Sequence, residues 1–174
     1  SAAAVHAGRR RDRSRVVSSR EVIVCIDDEE GVLRVLRAQL GARFGHECQI
    51  ATARSGDEAV ALFDGLTREG EAIALVIADQ IMPGMKGVEL LEIVDRRFPA
   101  TTKILLTGQA GLDAVIDAIN RAHLNQYISK PWDETALLLA VENLLRTYRL
   151  VHENQQLIAS LSAKNQALLE MNRE

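Results

Sequence analysis

The chain has 174 residues, 47% of them hydrophobic and 3% aromatic, which is enough for one globular domain with extensions around an aliphatic core. Its net charge is −3, and no run approaches the roughly 18–20 apolar residues of a membrane-crossing helix. The charge is uneven. Residues 1–20 carry Arg9, Arg10, Arg11, Arg13, Arg15 and Arg20 against Asp12 alone. With no aromatic residue and no apolar periodicity, this stretch reads as a disordered basic leader or a cloning remnant. It shows no apolar run of the kind a signal peptide needs. Cys25 and Cys48 lie inside apolar segments without metal-ligand spacing and are expected to be reduced core residues of a cytoplasmic protein.

From Glu21 the pattern alternates. Val22–Ile26 is a short apolar strand that ends in Asp27, Asp28, Glu29 and Glu30. Leu33, Leu36, Leu40 and Phe44 recur at helical spacing. Cys48–Ala53 is a second strand. Ser55, with Glu58 three residues on, has the spacing of a capping box, and Ala59, Leu62, Phe63 and Leu66 form the stripe of the helix it starts. Ile73–Ala78 is the most apolar strand and is expected at the centre of the sheet, covered on both faces, ending at Asp79. A Pro83-Gly84 turn leads to a helix with Val88, Leu91 and Val94. Lys103–Leu106 is a fourth strand, ending at Thr107-Gly108. Leu112, Val115, Ile116 and Ile119 mark a fourth helix. Gln126–Ser129 is a fifth strand, ending at Lys130-Pro131, and a last helix begins after Trp132.

Five strands alternating with helices predict an α/β domain with a parallel sheet. Four strands end in a polar or ionisable residue: Asp27/Asp28, Asp79, Thr107 and Lys130. In an open parallel sheet the carboxyl ends of the strands border the ligand crevice, so these groups are expected to converge. Three gathered carboxylates repel one another unless a cation joins them. A hard divalent ion with oxygen ligands answers that need, and magnesium fits because it takes few carboxylates. Lys130 adds a positive charge on the same rim. Such a site suits a phosphoryl group, with a carboxylate as nucleophile and Thr107 as hydrogen-bond donor.

The stretches Ile26-Asp27-Asp28-Glu29, Asp79-Gln80-Ile81-Met82-Pro83-Gly84-Met85-Lys86-Gly87, Leu106-Thr107-Gly108 and Tyr127-Ile128-Ser129-Lys130-Pro131 resemble the receiver domains of two-component response regulators. The resemblance covers about residues 21–145 and implies a flavodoxin-like (βα)5 fold with strand order 2-1-3-4-5. It implies Asp79 as phospho-acceptor from a sensor histidine kinase, with Mg2+ held by Asp28, Asp79 and the Ile81 carbonyl, and by Asp27 through water. Thr107 becomes the switch hydroxyl, Lys130 the partner of the phosphoryl group, and Tyr127 the aromatic side chain that changes rotamer. The Lys130-Pro131 bond is cis in many relatives. Ile81 and Gln109 occupy positions that tune phosphate loss. Ile81 is apolar and cannot orient a water, which predicts slow autodephosphorylation, while the Gln109 amide offers partial compensation.

Beyond the receiver the helical pattern persists over 146–174. Leu144, Val151, Ile158 and Asn165 fall at one heptad position, Leu161 and Leu168 at the other, with Thr147 and Asn154 as weak points. Val and Ile at a with Leu at d favour two parallel strands, and Asn at a fixes register. The expectation is a parallel homodimer that transmits the switch to an output domain beyond Glu174. A self-contained regulator is the other option. Two further readings compete: a phosphorylation-independent interaction module, and a carboxylate-nucleophile phosphatase. The latter needs an acidic residue two past the nucleophile, where Ile81 stands. Direct nucleic-acid binding lacks support, since no helix-turn-helix follows the receiver. A self-phosphorylating switch rather than a turnover enzyme is the leading reading.

Overall fold

The computed structural model describes residues 20–108 and 111–173. Most of the leader and the Gln109 position therefore lie outside the described residues. The elements run β1 (Glu21–Ile26), α1 (Glu30–Phe44), β2 (Cys48–Ala53), α2 (Gly56–Arg68) and β3 (Ala72–Asp79). They continue as α3 (Gly87–Arg97), β4 (Thr102–Thr107), α4 (Leu112–Ala122), β5 (Gln126–Ser129) and α5 (Glu134–Met171). All strand pairs are parallel, in the order β2-β1-β3-β4-β5.

Alternation along the strands divides the core into two layers. Val22, Val24, Ile26, Val76, Ala78 and Leu105 face one side, where they meet α2, α3 and α4. Ile23, Cys25, Leu75, Ile77, Ile104 and Leu106 face the other and meet α1 and α5. β3 is buried on both faces, as its continuous apolar run predicts. Cys25 and Cys48 are buried free thiols, and burial pushes the Cys25 thiol up to about 12. Local signals also hold. Ser55 Oγ accepts from Glu58 N at 3.1 Å, and Glu58 Oε2 accepts from Arg54 N at 3.1 Å, closing the α2 start. Asp133 caps α5 by accepting from Ala136 N at 2.9 Å.

The fourth helix forms where its apolar spacing marks it; its row Leu112, Ile116 and Ile119 points to solvent, and it buries Val115, Ala118 and Ala122. Small alanines let α4 lie close against the neighbouring α3, which leaves its larger side chains outside. One expectation needs correction: Leu144, assigned above to a dimer seam, is buried in the α1/α5 layer together with Leu137, Val141, Leu145 and Tyr148. The domain's own core occupies that part of α5. After Tyr148 the helix continues unbroken, and Val151, Ile158, Leu161, Asn165 and Leu168 are all exposed.

Candidate functional site

The parallel sheet delivers its strand ends to one rim. Asp27 follows β1, Asp79 closes β3, Thr107 closes β4 and Lys130 follows β5. Carboxylate oxygens of Asp27, Asp28 and Asp79 lie within 4.8 Å of one another. Lys130 Nζ donates to Asp27 Oδ2 at 2.7 Å and lies 3.1 Å from Asp79 Oδ1. The ammonium thus bridges two of the three carboxylates and sits closer to Asp27 than to Asp79. Asp27 and Thr107 are buried, as is most of Asp79.

Each side chain is held by its neighbourhood. Asp27 Oδ1 accepts from Glu29 N at 2.9 Å, which ties the carboxylate to the start of α1. Lys130 N donates to Thr107 O at 2.7 Å, fixing the β5 end against the β4 end. The Lys130-Pro131 peptide is cis. Gln80 N donates to Leu106 O at 3.0 Å, and the Gln80 amide oxygen accepts from Val88 N at 3.0 Å, so one side chain caps α3 immediately beyond Asp79. At Gly87 a Cβ would collide with the carbonyl oxygen of Asp79, which only glycine avoids. Gln80 and Gly87 were not singled out from sequence. Their spacing carries no signal until the turn brings α3 back over β3.

Electrostatics mark the site as short of positive charge. Burial pushes the Asp79 carboxyl above its ordinary value, and repulsion from Asp27 and Asp28 adds to that, against the opposing pull of Lys130. Burial alone lowers Lys130, yet its bonds to Asp27 and Asp79 outweigh burial and hold the ammonium more firmly protonated. One lysine does not balance three carboxylates. The donor set is all oxygen, compact and anionic, which fits a hard divalent cation. On the rim, Ile81 is 71% exposed just past Asp79, and Tyr127 is 50% exposed.

A family model described as the response regulator receiver domain matches residues 23–142. The hydrogenase transcriptional regulatory protein HoxA of Cupriavidus necator is 31% identical over 146 residues, covering 84% of this chain and 28% of that protein. A chemotaxis protein CheY homolog of Campylobacter jejuni is 32% identical over 127 residues, covering 72% of this chain and 92% of its own. The signal receiver domain of an HD domain-containing protein from Pseudomonas fluorescens superposes with a TM-score of 0.67. It is 32% identical and covers 75% of this chain and 98% of its own. The chain therefore spans just over a quarter of the length of the hydrogenase regulator and nearly all of the shorter relatives.

Proposed function

The chain belongs to the response regulator receiver domain family, and from that premise we propose that it is a phospho-accepting switch in which Asp79 takes a phosphoryl group from a histidine kinase. The observation that carries this reading is the charge imbalance around Asp79. A buried carboxylate lies beside two others and is only partly neutralised by Lys130. An Asp79 oxygen attacks the phosphorus of a phosphohistidine, the P–N bond breaks, the imidazole leaves, and an acyl phosphate forms. Lys130 is placed to swing its ammonium from Asp27 and Asp79 onto a phosphoryl oxygen, and the Thr107 hydroxyl supplies a further donor. Asp28, Asp79 and the Ile81 carbonyl would hold Mg2+, with Asp27 acting through water, and the ion would neutralise phosphoryl oxygens there. Ile81 offers no polar side-chain atom to a hydrolytic water, which supports a long-lived acyl phosphate.

Transmission runs through Thr107 and Tyr127 to α5. The exposed stripe of Val151, Ile158, Leu161 and Leu168 lies about a quarter-turn around the helix from the face that α5 buries in its own domain. A second helix therefore has room to pack there beside the receiver. A row of exposed Leu, Ile and Val on a helix this long calls for a partner, and Asn165 at a core position favours a parallel homodimer in fixed register. A sensor kinase upstream and an output domain following α5 complete the proposed circuit in the cytoplasm.

Sedimentation with Mg2+, before and after adding beryllium fluoride as an aspartyl-phosphate mimic, tests the whole reading. The expected result is a change in mass or shape that disappears in Asp79→Asn. A response that persists in Asp79→Asn rules out Asp79 as acceptor, and a monomer under every condition rules out the dimer.

A further inference from the structure

At the opposite, amino-terminal edge of the sheet, a second lysine is buried in a polar cluster. Lys103, 2% exposed at the start of β4, donates from Nζ to Asp95 Oδ1 at 3.1 Å and to Thr101 O at 3.2 Å. The other Asp95 oxygen meets His123 Nδ1 at 2.8 Å. His123 is the C-cap of α4 and holds a left-handed backbone, φ 51° and ψ 50°, a conformation strained for a residue with a Cβ. The same corner is closed from the backbone. Lys103 N donates to Asn125 Oδ1 at 2.8 Å, and Asn125 N donates to Lys103 O at 3.2 Å. Two residues before His123, Arg121 reaches Glu92 of α3 at 2.7 Å and Asp117 at 2.9 Å.

The two ends of α4 are therefore held very differently. Its carboxyl end is fastened to α3 through His123 on Asp95 and Arg121 on Glu92, and Asp95 is itself pinned to β4 by its ion pair with the buried Lys103. Its amino end has no side-chain cap, and Leu112 and Ile116 are 68% and 50% exposed. That end also abuts the switch position: a Cβ added to Gly111 would lie 2.6 Å from Thr107 Cβ. Glycine lets the backbone come close to Thr107, a contact through which a movement of that side chain would reach the helix start.

We propose that the Asp95–Lys103–His123 cluster is a fulcrum for α4, with Asp95 as the positioning residue that holds the carboxyl end of the helix still. A displacement of Thr107 is then delivered as a swing of the amino end and of the apolar row Leu112, Ile116. This rests on the reading of Thr107 as the switch hydroxyl. The strained His123 fits the arrangement: glycine or asparagine would cap α4 without strain, but neither offers the imidazole nitrogen that meets Asp95.

Amide hydrogen exchange on the full chain, without phosphoryl mimic, reads the fulcrum independently of the switch. Amides at Arg121–His123 should exchange about tenfold more slowly than those at Val115–Asp117, the scale of one charge-assisted hydrogen bond. Asp95→Asn and His123→Asn should each flatten that gradient, and Asp95→Glu, which keeps the charge, should restore it. With Mg2+ and beryllium fluoride, amide shifts should concentrate at residues 112–116 and spread to 120–123 only in Asp95→Asn. A flat gradient in the unaltered protein, or a gradient untouched by both substitutions, overturns the fulcrum. Equal shifts at both ends of α4 overturn it as well. An intact gradient with no shift anywhere instead overturns the phosphoryl switch, and with it the fulcrum as a signalling device.

Discussion

Two lysines sit among carboxylates at opposite edges of one sheet, and they serve opposite ends. Lys130 faces three carboxylates at the carboxyl edge, and burial with like-charge repulsion drives Asp79 above its ordinary value. Lys103 faces one at the amino edge. There burial would raise Asp95, but the bonds from His123 and Lys103 outweigh it and hold the carboxyl below the usual range. The first cluster is unfinished without a further cation or a chemical change. The second is complete. Charge balance, more than the presence of buried charge, separates the part of this fold proposed to react from the part proposed to hold still.

Isosteric amides at the two edges put that comparison at risk. Asp95→Asn should show the larger effect, lowering unfolding free energy by about 3 kcal/mol in chemical denaturation because Lys103 stays buried without its counter-charge. Metal response should stay as it was. Asp79→Asn should act in the other direction without metal, raising stability by about 1 kcal/mol because one of three crowded negative charges is gone. Unaltered protein should gain about 1.4 kcal/mol from Mg2+ at ten times its dissociation constant, and Asp79→Asn should lose most of that gain. Equal and same-signed effects at both edges would dissolve the distinction between a reactive and a structural cluster.

The carboxyl-edge cluster was legible in the sequence and the amino-edge cluster was not, for a physical reason. A parallel sheet places every strand end on the same rim, so Asp27, Asp28, Asp79, Thr107 and Lys130 follow from strand boundaries alone. The amino-edge cluster depends on where α3 and α4 end and on a left-handed turn at His123, and no local pattern encodes that meeting. The tail gave a mixed result. Heptad spacing identified Val151, Ile158, Leu161 and Leu168 as a stripe that the domain does not cover, but it also enrolled Leu144, which packs on its own receiver. Periodicity reveals which residues share a face and is silent about what covers it. The same silence applies to α4, where Leu112, Ile116 and Ile119 share a face that no part of the described chain buries.

The smallest effect is also the one that separates the edges within a single titration. A carboxyl raised in the native state, like Asp79, contributes stability that is fully present below its unfolded pKa and is lost as pH rises through the native value. A carboxyl lowered in the native state, like Asp95, contributes stability present above its unfolded pKa and lost as pH falls through the native value. On acidification of metal-free protein, stability should therefore first rise slightly as Asp79 takes up its proton. Below about pH 4 it should fall, as Asp95 gives up its pairing with Lys103 and His123. Denaturant midpoints measured across that range should lose the rise in Asp79→Asn and the corresponding part of the fall in Asp95→Asn. Saturating Mg2+ should flatten the rise alone, because a cation among Asp27, Asp28 and Asp79 removes the reason for Asp79 to hold a proton and leaves the amino edge untouched.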